Sequence, residues 1–301
     1  MSEPHHLSPM SSEHRNLSSP PNSPTSDGEY SEYSSTSSSL RGPPYTPEEL
    51  GAIFLDFYTF LTTLHYDPAE LKVPPPGGWP GMTPELCAHF KSNFAIEVLR
   101  HLPYFDSRCR EFVHYKSKLI DYTSFTRENF EEARARDEDE EITDYDGNPM
   151  DMAHVFRIAN GRESGGRLLF LNVRDGLLTE DWIRCDGLGP MDVNEYFGRL
   201  KESYRRLQVI PCPGRTTLVE PNVDDRGDKI TKEQVCAQTE KWCTELDVQY
   251  IKQIYRHYGW PDAFRRDKST AAIDELMSSM VEQREAWEKP LPEWLSEPWN
   301  Y

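Results

Sequence analysis

The chain has 301 residues, 37% hydrophobic and 12% aromatic, which is enough for one large domain or two small ones. Its formal net charge of -18 opposes the basic face that nucleic acid and anionic membranes attract, so we expect neither as a partner. The sequence shows no run of roughly 20 apolar residues and no signal peptide, which predicts a soluble cytoplasmic protein, with the nucleus as the alternative compartment.

Residues 1–44 are rich in Ser and Pro and poor in large apolar side chains. Such a segment buries too little apolar surface to offset its ordering entropy, so we predict a disordered tail. Its Ser-Pro steps at Ser8, Ser19 and Ser23 fit a proline-directed kinase, although any tail of this composition contains such steps by chance. We keep the three serines as phosphorylation candidates.

An amphipathic helix that docks on a core is predicted from Thr46 onward. Thr46 is its N-cap, Pro47 suits its first turn, and Glu49 completes a capping box. The loop that follows, VPPPGGWPGM, is too rich in proline and glycine for regular structure. Its Trp79 is a candidate contact for a partner, and anchoring of the loop on the core is the commoner alternative. Three successive prolines are also compatible with a polyproline ligand for an aromatic groove.

Thr83 and Pro84 repeat the cap-and-proline signal and predict a short helix. Residues 94–102 form a second apolar helix that ends before Pro103, and residues 111–122 have an extended pattern. From Glu128 the chain turns acidic. We predict a helix at first and then a solvated loop at the DEDEE run, residues 137–141.

Three strands are predicted in the middle of the chain, at 153–160, 167–173 and 177–184. Asp175 and Gly176 are the two-residue signal for a hairpin with a type I′ turn. Apolar residues in the strand at 167–173 fall on both parities, which indicates a central strand covered on both faces. No residue of this hairpin is left over for a catalytic role.

Further helices are predicted from the N-cap Asp192, from Thr231 to Gly259 in one long run, and over 269–288. The C-terminal PLPEWLSEPWNY adds Trp294 and Trp299, which either dock a partner or pack back over the domain. The sequence thus predicts an α+β fold with a mainly antiparallel sheet flanked by helices. It divides into a disordered tail at 1–44, an α+β domain at 45–215 and a helical extension at 216–301 packed on or beside it.

Six cysteines are spread along the chain without a C-x-x-C pair: Cys87, Cys109, Cys185, Cys212, Cys236 and Cys243. A secreted disulfide scaffold is shorter and denser in cysteine, so we expect buried free thiols in a reducing compartment. Cys236 and Cys243 lie seven apart in a helical pattern, about 10 Å apart on one face. That separation is too long for a disulfide.

The common catalytic and metal motifs are missing from the sequence. DYDGNP places Ile142 at the first ligand position of an EF-hand, and neither a P-loop nor H-E-x-x-H nor G-x-S-x-G occurs. Four histidines lie inside predicted elements without ligand spacing: His101, His114, His154 and His257. We therefore predict no catalytic residue, no metal site and no cofactor.

The block 153–207 has a distinctive order: a strand ending in Asn-Gly, a leucine-rich strand, an Asp-Gly hairpin, a strand with Trp182, and the helix DVNEYFGRL. With the upstream AIEVLRHLPYF, this order resembles the fungal cell-wall-assembly regulator (Smi/Knr-type) domain family and its uncharacterised fungal relatives, over about residues 90–215. The resemblance implies a sheet flanked by helices and a protein-interaction role in cell-wall or morphogenesis signalling. The acidic insertion before the sheet and the C-terminal extension depart from the family's pattern.

We expect a non-enzymatic module that binds and regulates other proteins. The alternative is a hydrolase-type enzyme whose carboxylate or cysteine site is assembled by the fold. Convergent ionisable groups in one deep pocket would favour the enzyme, and an open, shallow surface would favour the binder.

Overall fold

The chain combines helices with antiparallel strands, and four strands follow one another in its middle. The structure, a computed structural model, describes residues 42–139, 142–143, 146–212, 217–223, 227, 229–240 and 244–280. The helices in these ranges are α1 Pro47–Leu64, α2 Asn93–His101, α3 Arg127–Asp139, α4 Val193–Arg205, α5 Lys232–Cys236, α6 Glu245–His257 and α7 Arg266–Ser279. The strands are β1 Leu71–Lys72, β2 Tyr104–Phe105, β3 Ser117–Leu119, β4 Val155–Gly161, β5 Arg167–Asn172, β6 Leu177–Trp182, β7 Cys185–Asp192, β8 Val209–Ile210 and β9 Leu218–Val219. The predicted α+β class is confirmed.

The five-stranded sheet has the order β3-β4-β5-β6-β7 with every neighbouring pair antiparallel. The first five residues of β5 are buried, and β5 lies in the middle of the sheet. Leu169 and Leu171 join the main core, whereas Leu168 and Phe170 belong to a smaller cluster on the other face. The prediction of a central strand covered on both faces is confirmed.

Helix α1 packs on the main-core face of the sheet, together with α4. Thr46 and Glu49 form the predicted capping box, and seven residues of the helix are buried. The ring of Phe57 stacks on that of Phe197 in α4, with centroids 4.3 Å apart. The predicted apolar stripe therefore faces a core. Asp192 caps α4 as predicted, accepting from the backbone N–H groups of Asn194 and Glu195.

The hairpin between β5 and β6 is wider than predicted. Asn172 pairs with Leu177, so residues 173–176 form a four-residue connection, and within it only Gly176 has a positive φ, 67°. The type I′ prediction is wrong because the Asn172 side chain closes a larger turn: it accepts from the N–H of Arg174 and donates to Asp175. A Cβ on Gly176 would lie 2.7 Å from Pro44. Close packing of the chain before α1 therefore requires glycine here.

Tyr45, which precedes α1, is hydrogen-bonded to the N-cap residue of α4. Its hydroxyl donates to Asp192 Oδ2 at 2.7 Å, and Asp192 Oδ1 accepts from the first turn of α4. The hydrogen bond from Tyr45 to Asp192 raises the pKa of the tyrosine to about 12. One carboxylate thus holds both the start of the described chain and the cap of a helix.

The short helix predicted at Thr83 is wrong, since residues 84–90 form successive turns. Ala88 and His89 adopt left-handed φ values of 49° and 59°, which a helix does not accommodate. The solvated loop predicted at 137–141 is also wrong for residues 137–139, which complete α3. Of the extended stretch predicted at 111–122, only Ser117–Leu119 forms a strand.

The long helix predicted from Thr231 is two helices, α5 and α6. Helix α5 ends at Cys236, and a capping box formed by Thr244 and Asp247 starts α6, so the single predicted helix is interrupted between them. The single helix expected to carry Cys236 and Cys243 is interrupted after Cys236, since residues 237–240 are not helical; Cys243 itself lies outside the described residues. Helix α7 covers the first part of the predicted 269–288 helix. Core residues of all three helices join the same hydrophobic core as α1.

The free thiols differ in exposure. Cys87, Cys109 and Cys212 are buried as expected, and Cys236 is half-buried. Cys185, at the start of the edge strand β7, is exposed, so the expectation of burial is wrong for this residue. The predicted disordered tail lies almost entirely outside the described residues.

Candidate functional site

A concave part of the described surface lies between α3, the turns before α2 and β4. A cavity of about 30 Å³ is lined by Phe90, Lys91, Ile120, Tyr122, Phe125, Phe130, Ala133, Arg136, Asp137, Phe156, Arg157 and Asn160. An adjoining depression of about 190 Å³ is more open and is lined by Phe90, Arg134, Asp137, Glu138, Met152 and Ala153. Phe90 and Asp137 belong to both, so the two form one continuous site.

Lys91 is a buried cation at the floor of the cavity. Its Nζ donates to the backbone oxygens of Met152 at 2.7 Å and Val155 at 2.6 Å, and lies 4.6 Å from the centre of the Phe90 ring. Burial lowers the pKa of Lys91 to about 8. Met152 lies in the loop before β4 and Val155 is the first residue of β4, so the Lys91 ammonium ties the start of this strand to the turns before α2.

A buried ion pair connects α3 to the sheet. Arg157 of β4 contacts Asp137 of α3 at 2.9 Å, and the two side chains are 9% and 11% exposed. The Arg157 guanidinium also lies over the ring of Phe170 at 5.2 Å. An arginine in the middle of the apolar strand VFRIAN is costly to bury without an anion. Asp137 supplies it, which explains why the start of the DEDEE run folds onto the sheet.

An aromatic cluster forms the inner wall of the site. Phe130 is the one buried residue of α3, and its ring lies 5.7 Å from Tyr122, stacked, and 5.3 Å from Phe125, edge-on. Tyr122 in turn contacts Phe156 of β4 at 5.8 Å. Helix α3 is therefore held by a single aromatic anchor near its start and an ion pair near its end.

The outer face of α3 is acidic. Residues 127–151 contain eleven Asp and Glu against three Arg, a net charge of -8 within a chain of net charge -18. The ion pairs Arg127–Glu131 and Arg134–Glu138 follow one side of the helix. Glu128, Glu132 and Asp139 are exposed along the neighbouring side. We call these three residues the acidic stripe.

The site contains buried ionisable groups, as an enzyme would, but its volume is small. Substrate pockets usually occupy roughly 300–1,000 Å³, whereas the enclosed part here is close to the scale of a water molecule. Lys91, Arg157 and Asp137 are also engaged in contacts that hold the fold together. Among the described residues no group of three or more metal-ligating side chains converges.

A second buried polar cluster joins the sheet to α4. Glu180 of β6 lies 3.1 Å from Arg167, accepts from the Trp182 indole at 2.6 Å and accepts from the Tyr196 hydroxyl at 2.9 Å. The Arg167 guanidinium stacks 3.3 Å from the centre of the Trp182 ring. Both carboxylate oxygens are thus engaged, which is the arrangement of a structural network.

A serine-histidine version of the hydrolase alternative requires a nucleophile bonded to a base. His65 is buried, and burial holds its pKa well below the usual value, to about 3. Its Nε2 faces the backbone oxygen of Phe112 at 3.3 Å, while Nδ1 has no hydrogen-bond partner, and neither has the buried hydroxyl of Ser269. These two groups therefore do not form a Ser-His pair with each other.

Glu111 is the carboxylic acid with the most raised pKa in the described part of the chain. Burial is the main cause and nearby Glu70 adds to it, raising the pKa of Glu111 to about 7. Lys118 and Arg266 oppose the shift. The backbone oxygen of Glu111 accepts from the Tyr66 hydroxyl at 3.2 Å, which places the residue beside the core.

Trp79, a predicted partner contact, anchors its own loop. The indole donates to the backbone oxygen of Leu102 at 2.8 Å, and its ring lies 6.3 Å from Tyr104. The half-buried side chain packs on the main core. The other candidates, Trp294, Trp299, Ser8, Ser19 and Ser23, lie outside the described residues.

The sequence did not single out Lys91, Asp137 or Arg157. One signal was available: Arg157 interrupts a strand whose remaining side chains are apolar or small, so an acidic partner was required. The predicted structural roles of the histidines fit their contacts, since His101 Nδ1 faces Glu97 O at 2.8 Å and His154 Nδ1 faces the Ser92 hydroxyl at 3.1 Å.

No family model, no curated protein and no solved structure matches the chain. Within the described ranges, no helix combines the length and the apolar character that crossing a membrane demands.

Proposed function

We propose that the chain is a non-enzymatic protein-interaction module with a regulatory role. Its contact surface is the acidic stripe of α3 with the depression beside it, and its partner offers a basic segment. The observation that carries this proposal is the size of the depression, about 190 Å³, next to exposed carboxylates. Such a volume accommodates one side chain and is smaller than the volume of a usual substrate pocket.

Charge favours a basic partner at this surface. A chain of net charge -18 attracts cationic segments over several ångströms, and the concentration of acids around α3 directs the encounter there. The lining of the depression combines apolar Phe90 and Met152 with the carboxylates of Asp137 and Glu138 and with Arg134, which pairs with Glu138 at 2.7 Å and which a basic partner would replace there. A lysine or arginine fits this lining because its apolar stem packs on such surfaces while its charged end reaches a carboxylate.

Helix α3 is suited to present its outer side to a partner because its inner side is held against the rest of the protein. Phe130 and the Asp137–Arg157 pair hold it against the aromatic wall and the sheet. Its outer side consists of exposed charged residues at helical spacing. The resemblance to Smi/Knr-type regulators supports the finer proposal, a role in fungal cell-wall or morphogenesis signalling.

The test is affinity purification of the full chain from an extract of the cells that produce it, followed by zero-length carbodiimide crosslinking. This reagent joins carboxylates to lysines, so we expect links from Glu132, Glu138 or Asp139 to a lysine-rich segment of a partner. The variant Glu132→Lys/Asp139→Lys should lose that partner.

The matched control is Asp262→Lys/Asp267→Lys, which changes the net charge equally at two exposed positions near α7. It should retain the partner. Recovery of the same proteins by the α3 variant and the unmodified chain would overturn the proposal, as would equal loss from both double variants.

A further inference from the structure

The loop between β1 and Trp79 carries an exposed proline ridge. We define the ridge as residues 73–76, Val-Pro-Pro-Pro. Val73 is 51% exposed, the most exposed large hydrophobic residue in the described part of the chain, and Pro75 and Pro76 are exposed as well. No residue of the ridge lines the cavity or the depression beside α3.

The sequence of the ridge favours the polyproline II conformation. Each proline fixes its own φ near -65°, and each of Val73, Pro74 and Pro75 precedes a proline, which disfavours the α region for it. Residues 73–75 have no helix or strand assignment. Polyproline II has three residues per turn, so Val73 and Pro76 share one edge while Pro74 and Pro75 lie on the other two.

Burial along the ridge follows this threefold period. Val73, Pro75 and Pro76 are exposed, whereas Pro74 is half-buried. One edge of the polyproline helix therefore lies against the protein, and the other two face outward. Domains that read polyproline II use two edges of the ligand, which they dock into a groove lined by aromatic side chains.

Both ends of the ridge are fixed. On one side β1 pairs with β2, and Lys72 Nζ contacts Asp121 at 2.7 Å and Asp106 at 3.3 Å. On the other side the N–H of Gly78 donates to Pro75 O at 2.8 Å and closes a turn. The N–H of Trp79 then donates to Arg100 O at 2.9 Å.

Fixed ends and proline content reduce the conformational entropy that a binding partner would have to remove. We infer that the proline ridge is a preformed ligand for a polyproline-reading domain with an aromatic groove. This surface is separate from the acidic stripe of α3, so the two can be tested independently.

The test titrates the full chain into four purified polyproline-reading domains: a WW domain, an SH3 domain, an EVH1 domain and profilin. The readout is the tryptophan fluorescence of the groove, or the NMR shifts of the labelled domain. We expect at least one domain to bind and an excess of decaproline peptide, which occupies the same groove, to displace the chain.

The ridge variant Val73→Ser/Pro75→Ala removes exposed side chains only, so folding should persist. We expect it to weaken binding at least tenfold. The control Pro80→Ala changes an exposed proline of the same loop beyond Trp79 and should bind as the unmodified chain does. Absence of binding to all four domains, failure of decaproline to compete, or equal weakening by the ridge variant and the control would each overturn the inference. None of these results would bear on the α3 surface.

Discussion

Replacing Glu111 by Gln should change how the stability of the protein depends on pH. The pKa of Glu111 is raised from its ordinary value of 4.5 to about 7, chiefly by burial and next by Glu70. Between pH 4.5 and pH 7 the folded protein therefore retains a proton that the unfolded chain releases. The stability that this proton provides is fully present below pH 4.5 and is lost as the pH rises through 7.

The size of the effect follows from the shift. Each pKa unit corresponds to about 1.4 kcal/mol, so the shift costs the folded state at most about 3 kcal/mol at alkaline pH. Glutamine has nearly the same shape and stays neutral. Relative to the unmodified protein, Glu111→Gln should therefore gain stability progressively between pH 5 and pH 8, approaching that limit.

Urea unfolding of both proteins at pH 5, 6, 7 and 8 measures this difference, and contributions from titrating groups that do not interact with Glu111 cancel in it. Glu132→Gln, which neutralises an exposed carboxylate of α3, serves as the control and should give a flat difference. A difference for Glu111→Gln that stays constant within about 0.5 kcal/mol, the scatter of ordinary surface substitutions, would refute the assignment of a raised pKa.

Other substitutions test the packing of the site and the sheet. Phe130→Ala removes the only buried side chain of α3 and should cost about 3–5 kcal/mol in urea unfolding, whereas an effect under about 1 kcal/mol would show that the helix is held by other contacts. Glu180→Ala leaves Arg167 buried without its anion and should cost about 3–5 kcal/mol; a stability change near zero would contradict the network. Gly176→Ala, at φ 67° with a close neighbour, should lower the melting temperature, while Gly81→Ala, with open space around it, should not.

Helix starts and the central strand were predictable because their signals are local. The capping box at Thr46 needs only residues three apart, and the cap at Asp192 behaves likewise. The two-sided apolar pattern of β5 is also contained in six residues. Each of these predictions is confirmed.

Two of the errors arose where a distant contact competes with a local pattern. Residues 84–90 have helix signals, yet the chain turns there and brings Lys91 to the carbonyls of Met152 and Val155. The DEDEE run has the composition of a solvated loop, yet its first residue, Asp137, forms an ion pair with Arg157 of the sheet. The candidate site could not be predicted for the same reason: its members are separated by about twenty to sixty residues, and periodicity carries no information on such pairings.

The shared carboxylate of Asp192 couples the segment before α1 to the start of α4, although Tyr45 and Asp192 are 147 residues apart in sequence. A shortened protein that begins at Thr46 would keep the α1 capping box but would lack the Tyr45 hydroxyl that donates to Asp192. Amide hydrogens in the first turn of α4 should then exchange faster with solvent, far along the chain from the cut. A shortened form intended for crystallisation should therefore retain Tyr45.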